Sequence, residues 1–316
     1  MHPATTILPL CAALFLSGCR ESAKRAAVSP APQAVVAEPA VSEKEFSGAK
    51  AYAHCAALCD LGPRPSGSPA YAQQVAYLTR HLQQNGWQVQ VVDFTPLPGR
   101  KMQNVHAVFG GSSEPCPLLI SCHIDTKGQG SEAILGADDG ASGAAALLEL
   151  ARTLAHHPQL AEHVELVFFD GEESFAKRMS STDGLYGSRH DVARRGMALP
   201  RWMINLDMVG GAGKTISVPV FDTPPEMLEH YQVAIDTLGL SLDRWKFFPG
   251  SYLDDHIPFV DAGVDALNLI AEFKNSNWWH TQKDDMSRIS ADSLEETGRV
   301  VLQLIRQLLA PKAPGA

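Results

Sequence analysis

Four short apolar runs separated by helical patterns constrain this fold more than any other feature of the chain. Residues 118–123, 164–169, 202–208 and 264–270 are rich in branched and aromatic side chains, with Glu165 an outlier near the start of the second run. Runs this short with few polar interruptions read as strands buried on both faces. Helical spacing of apolar residues marks 141–156, 225–238 and 290–309, and, ahead of the first run, 47–59 and 70–85, the latter stopped by Gly86. Residues 88–94, 105–109 and 216–221 are strand-like, and 61–69 is a Pro/Gly/Ser loop. Strands alternating with helices predict an α/β domain whose mixed, mostly parallel sheet is covered by helices on both faces, in three layers. Such sheets bind ligands outside the carboxyl ends of their strands.

The domain begins near Phe46. Residues 1–18 read as a lipoprotein signal peptide: an apolar run from Ile7, too short to span a bilayer, ends in Leu16-Ser17-Gly18-Cys19, which resembles a bacterial lipobox. No Lys or Arg precedes the run, which departs from that pattern. Residues 19–45, rich in Ala, Pro, Ser, Glu and Val without period, read as a disordered tether. The expectation is a catalytic domain of residues 46–316 anchored in the bacterial cell envelope by a lipid on Cys19, facing the periplasm or the outer surface. A net charge of −9 argues against an electrostatic grip on nucleic acid. Export permits disulfides, but Cys55, Cys59, Cys116 and Cys122 allow three pairings and spacing does not choose among them.

Five residues able to bind zinc are spread along the chain: His123, Asp139, Glu173, Asp207 and His280. Glu172 adds an uncommitted carboxylate beside Glu173, as a metal-assisted proton transfer requires. Each has a plain alternative. Asp138-Asp139-Gly140 could be only a turn and helix cap, Glu172-Glu173 a solvated loop, His123 a core histidine and His280 a packed aromatic. Asp207 closes an apolar strand, where a buried carboxylate needs a partner. His123, Glu172, Glu173 and Asp207 lie at or just past predicted strand ends, and that shared placement favours zinc binding over the plain alternatives. Gly210-Gly211-Ala212-Gly213-Lys214-Thr215 looks like the end of a phosphate loop, but position 208 is Met rather than Gly and a strand follows, so it reads as a glycine-rich turn. Ser66 and Ser188 lack the setting of a nucleophilic serine.

His123-Ile124-Asp125, Asp138-Asp139-Gly140-Ala141-Ser142-Gly143, Glu172-Glu173, Asp207 and His280, in this order, resemble the two-zinc aminopeptidases of the bacterial leucyl-aminopeptidase type. A closer resemblance is to the glutaminyl-peptide cyclotransferases of the same zinc-exopeptidase-like fold. It is carried by Phe169-Asp170-Gly171-Glu172-Glu173, Leu185-Tyr186-Gly187-Ser188-Arg189-His190, Asp254-Asp255-His256-Ile257-Pro258-Phe259 and Trp279-His280-Thr281. That resemblance implies one Zn2+ on Asp139, Glu173 and His280, with Glu172 as acid/base. It implies that Asp207 and Asp254 hydrogen-bond around Glu172, and that Trp279 lines the pocket for a peptide N-terminus. The implied reaction closes an N-terminal glutamine to pyroglutamate with release of ammonia. The aminopeptidase alternative would place a second zinc on His123 and Asp207, and ligand inventory leaves one metal or two open. A third reading, a non-catalytic surface lipoprotein, sits poorly with the intact Glu172 and ligands. The animal cyclotransferases carry a Trp shortly after the paired Glu, whereas residues 175–179 here hold none. They also bridge the position of Cys122 to a cysteine that Ala144 replaces, so that disulfide is not implied.

Overall fold

The computed structural model describes residues 45–110, 115–128, 133–274 and 276–311. The expected signal peptide, Cys19 and all of the expected tether except Glu45 lie outside the described residues. Four strands form the centre: β3 (Leu118–His123), β4 (Val164–Phe169), β5 (Trp202–Asp207) and β8 (Asp265–Ala271). They run parallel, β4 and β5 flanking β3 and β8 beside β5. An antiparallel hairpin of β1 (Trp87–Leu97) and β2 (Arg100–Phe109) extends one side, and β6 (Ile216–Pro219) with β7 (Trp245–Phe248) the other. The eight-stranded order is β1-β2-β4-β3-β5-β8-β6-β7.

Alternation along the central strands builds the three layers. Leu118, Ile120, Leu166, Phe168 and Ile204 join the larger core, shared with α1 (Gly48–Cys59), α2 (Pro69–Gln84), α3 (Gly143–Ala155), α6 (Pro225–Leu238) and α8 (Ala291–Leu308). Leu119, Val167, Phe169 and Met203 point to the opposite face, where Val192 of α5 (Tyr186–Arg195) and Phe259 of α7 (Ile257–Asp261) cover them. A one-turn helix, α4 (Pro158–Ala161), leads into β4. Ser47, Ser68 and Ser290 cap α1, α2 and α8 by accepting backbone N–H groups, which sets where those helices begin.

The expected mixed sheet is present, and the departures have physical causes. The hairpin strands are longer than their apolar cores because the pairing of Val92 with Asn104, Asp93 with Gln103 and Leu97 with Arg100 carries polar residues into the ladder. β7 is four residues at an edge, too short to show a period. α5 is mostly polar and buries only part of one side, which hides it from an apolar-period reading. The helix expected from residue 141 starts at Gly143, because residues 137–142 form a kinked turn in which Asp139 (φ −85°, ψ 89°) and Gly140 (φ 106°) leave helical geometry. Cys55, Cys59, Cys116 and Cys122 are buried, and no disulfide joins any two of them among the described residues.

Glu165, the outlier in β4, is the centre of a buried network. Its Oε1 meets His106 Nδ1 at 2.9 Å and Arg195 Nη2 at 2.6 Å, while Arg195 Nε donates to Asp191 at 2.6 Å. These bonds tie α5 to β2 and β4. Burial alone would raise the Glu165 pKa, but His106 and Arg195 outweigh it and bring the value from 4.5 to about 2. The depressed folded-state value means that the ionised form stabilises the fold fully above 4.5 and loses that contribution as pH falls toward about 2. Glu165→Gln is expected to lower stability by about 2 kcal/mol at neutral pH, because Arg195 and His106 lose a charged partner while Asp191 still holds Arg195. Urea denaturation should show the gap between variant and wild type narrowing as pH drops through that window.

Candidate metal centre and active site

Parallel pairing brings the carboxyl ends of β3, β4 and β5 to one sheet edge. His123 ends β3 opposite Phe169, and Asp207 ends β5. Past β4 the chain turns through Asp170 and Gly171 into Glu172 and Glu173. Asp125, just beyond β3, accepts the Glu172 N–H at 3.1 Å and the Glu173 N–H at 3.2 Å with its two carboxylate oxygens. The H-x-D spacing thereby lets one segment supply a ligand candidate and fix the acidic pair on the next strand.

Asp139 is presented by the kinked turn before α3. Asp284 holds that turn from 145 residues away, accepting the N–H groups of Asp138 at 2.9 Å and Asp139 at 3.0 Å. Gly140 passes so close to the exit of β3 that a Cβ would sit 2.9 Å from the Asp125 carbonyl, and its φ of +106° favours glycine as well. His280 occupies the left-handed region at φ +53°, unusual for a residue with a side chain. Thr281 Oγ1 bonding the Trp278 carbonyl at 2.6 Å, and the Trp279 ring stacked on the imidazole at 3.9 Å, hold it there.

The five candidates meet as two clusters that share Asp139: His123, Asp139 and Asp207 in one, and Asp139, Glu173 and His280 in the other. In the first, His123 Nε2 lies 3.2 Å from both Asp139 Oδ1 and Asp207 Oδ1, and Nδ1 lies 3.2 Å from the Asp125 carbonyl oxygen. Burial opposes charge on His123, but Asp125, Asp139 and Asp207 outweigh it and hold the imidazole well above its ordinary pKa. Asp207 moves upward for the same reason of burial, reinforced by the Asp254 charge. Asp139 is held below the usual carboxylate range: burial works against this, and His123 and His280 prevail.

The second cluster is differently satisfied. His280 Nε2 lies 3.2 Å from Glu173 Oε1 and 3.5 Å from Asp139 Oδ2, and both oxygens are buried without a hydrogen-bond donor among the described residues. Lys127 takes the other Glu173 oxygen at 3.2 Å and anchors itself on the Ser174 carbonyl at 2.6 Å. Two buried carboxylate oxygens and an imidazole nitrogen converging without donors suit a divalent cation. This donor set fits zinc.

Glu172 lies beside the clusters, and its carboxyl carries no hydrogen bond among the described residues. Burial drives its pKa well up, and the neighbouring Glu173, Asp254 and Asp255 charges add to the shift against the opposing pull of His123. The expected hydrogen bonds from Asp207 and Asp254 to Glu172 are not formed. Asp207 is engaged with His123. Asp254 accepts the Asn268 side-chain N–H at 2.8 Å and the Asp255 N–H at 2.5 Å, so it acts on Glu172 through charge alone. Behind Asp254 a buried polar chain crosses the sheet, from Ser121 to Asn205 at 2.7 Å and from Asn205 to Asn268 at 3.2 Å. A cleft of ≈240 Å³, lined by Ser66, Asp125, Thr126, Glu173 and Phe175 among others, opens beside Glu173. Phe175 belongs to the stretch without Trp, and the Arg100 guanidinium lies 4.4 Å from the centre of its ring. Trp279 is 36% exposed, stacks on His280 and packs against Phe273 at 4.5 Å.

Sequence reasoning missed Asp125 as a holder of the acidic pair, and missed Lys127, Asp284 and the Asn205–Asn268 chain. The H-x-D spacing was the available signal for Asp125. The others have no local signature.

The profile of the family described as Peptidase family M28 matches residues 104–305. Glutaminyl-peptide cyclotransferase of Bos taurus is 28% identical over 298 residues, covering 80% of this chain and 79% of that protein. The glutaminyl cyclase of Porphyromonas gingivalis superposes with a TM-score of 0.71 at 27% identity, covering 84% of this chain and 99% of the other. A Zn-dependent exopeptidase of Parabacteroides distasonis superposes with a TM-score of 0.72 at 26% identity, covering 83% and 98%.

Removing a donor from the second cluster should weaken metal binding directly. Glu173→Gln and His280→Ala are each expected to lower zinc affinity by at least about tenfold, and to shrink the rise in melting temperature that added zinc gives the wild type. Competition against a zinc indicator and thermal melts with and without zinc check this.

Proposed function

The chain belongs to peptidase family M28, and we propose that it is a zinc-dependent glutaminyl-peptide cyclotransferase, converting the N-terminal glutamine of peptides to pyroglutamate with release of ammonia. The catalytic domain is residues 46–316. The observation that carries the reading is the unequal state of the two clusters. His123 has a protein oxygen near each ring nitrogen, so that cluster is satisfied by protein groups. The donor-free oxygens of Asp139 and Glu173 face His280 alone. A single cation site suits cyclisation, whereas aminopeptidase chemistry commonly holds its water between two zincs. The similarity to glutaminyl cyclases points the same way.

When bound by Asp139, Glu173 and His280, zinc supplies Lewis acidity toward the side-chain amide carbonyl of the substrate glutamine. The substrate's own α-amine is the nucleophile, so the protein needs to fold the glutamine back on itself and keep water out. Glu172 takes a proton from the amine as its nitrogen bonds to the amide carbon. It returns the proton to the amide nitrogen as the C–N bond breaks and ammonia leaves. A raised pKa suits a carboxyl that must both accept and give a proton near neutrality. Asp254 keeps negative charge close to Glu172, and Asp207 holds His123 in place. Trp279 closes one side of the pocket over His280.

Purified protein incubated with a Gln-initiated peptide should release ammonia and give a product lacking one ammonia, while a Leu-initiated peptide stays intact. Rapid release of leucine without ammonia from the glutamine peptide would instead decide for an aminopeptidase. Glu172→Gln is expected to keep fold and zinc but lose about a hundredfold or more in turnover.

We also propose attachment to the cell envelope through a lipid on Cys19, supported by Leu16-Ser17-Gly18-Cys19 and the linker-like composition that follows. Cys19→Ser is expected to shift the protein from the membrane fraction to the soluble fraction, or to leave it unprocessed. Unchanged fractionation would reject the anchor.

A further inference from the structure

The glycine-rich turn before β6 ends in a lysine that the proposed reaction does not use. Lys214 is buried, and its ammonium ion-pairs with Asp138 Oδ2, the residue next to Asp139. The same ammonium lies 3.5 Å from the centre of the Trp278 ring, two residues before His280. Asp138 Oδ1 accepts the Gly210 N–H at 2.9 Å, so both oxygens of that carboxylate are held by the one turn. The two glycines make this approach possible. A Cβ at Gly210 would lie 2.8 Å from that of Ser142, and one at Gly211 would collide with the Lys214 side chain. The Ala212 N–H donates to the Arg288 carbonyl at 2.7 Å, and the Ser290 N–H donates to the Gly210 carbonyl at 2.9 Å, pinning the turn to the segment that follows Asp284.

Asp139 and His280 stand on loops far apart in the chain, and nothing covalent sets their separation. Asp284, four residues past His280, ties that loop to the Asp139 turn through backbone N–H groups, and Lys214 adds a second link. Lys214 touches a neighbour of each ligand, Asp138 through an ion pair and Trp278 through a cation–π contact. We propose that Lys214 is a positioning residue that sets the distance between Asp139 and His280 and thereby the affinity of the centre for zinc. This rests on the metal-site reading and is independent of whether the reaction is cyclisation or hydrolysis.

The test measures zinc affinity of the full-length chain by competition with a fluorescent zinc chelator, alongside the melting temperature of the zinc-free protein. Outer partners of metal ligands typically carry about a 10–100-fold share of affinity, and Lys214→Met is expected to lose that much. It also leaves Asp138 buried without its partner, so the zinc-free protein should melt lower. The double variant Lys214→Met/Asp138→Asn removes the stranded charge. Positioning predicts that its melting temperature recovers while its zinc affinity stays low. Zinc affinity within about twofold of wild type in Lys214→Met, or recovery of affinity together with melting temperature in the double variant, would overturn the proposal, since charge burial alone would then account for Lys214. If Lys214→Met fails to fold, the double variant decides by the same two readings. Wild-type protein that binds no zinc would count against the metal centre itself.

Discussion

The structure depends on how one buried carboxylate is shared. Asp139 faces His123 with one oxygen and His280 with the other, at 3.2 Å and 3.5 Å. A lone buried carboxylate would be protonated or excluded. Here two imidazoles keep its pKa low, and the chain departs from helical geometry at residues 139 and 140 to deliver it. The parallel strands set the other partners around this point, because their shared direction puts His123, Glu173 and Asp207 on one edge. The fold and the site are therefore one arrangement, and the kink before α3 is where a regular helix gives way to it.

The two clusters around Asp139 look alike as lists of residue types and differ in what satisfies them. His123 has protein oxygens near both ring nitrogens. His280 meets two oxygens that have no donor, and Lys127 holds the second Glu173 oxygen aside. Low dielectric makes each such distinction large. Glu172 stands between these charges with its own pKa raised, which is the condition for a group that carries a proton in both directions.

The central sheet was legible because β3, β4 and β5 are buried on both faces and short, leaving few other ways to fold. The ends of β3 and β4 came out at the predicted residues, and His123, Glu172, Glu173 and Asp207 followed from them. Asp139 and His280 were less legible: a D-D-G turn and a W-W-H segment have ordinary explanations, and their assignment leaned on family resemblance. Asp254 was placed near Glu172, but its bonds run to Asn268 and to the Asp255 N–H, and only its charge reaches Glu172. Asp284 and Lys214 were invisible as site residues because each acts on Asp138 or Asp139 across the fold, 146 and 76 residues away, where no local spacing records the contact. α5 and β7 escaped notice for a different reason, one being polar and the other short.

The central claim is that one cation belongs to Asp139, Glu173 and His280, while protein groups satisfy the cluster of His123 with Asp207. Crystals of protein purified with zinc, measured on either side of the zinc absorption edge, test it most directly. A single anomalous peak between Asp139, Glu173 and His280 is expected. A second peak of comparable height between His123 and Asp207 would contradict it, and would make the site a two-metal centre.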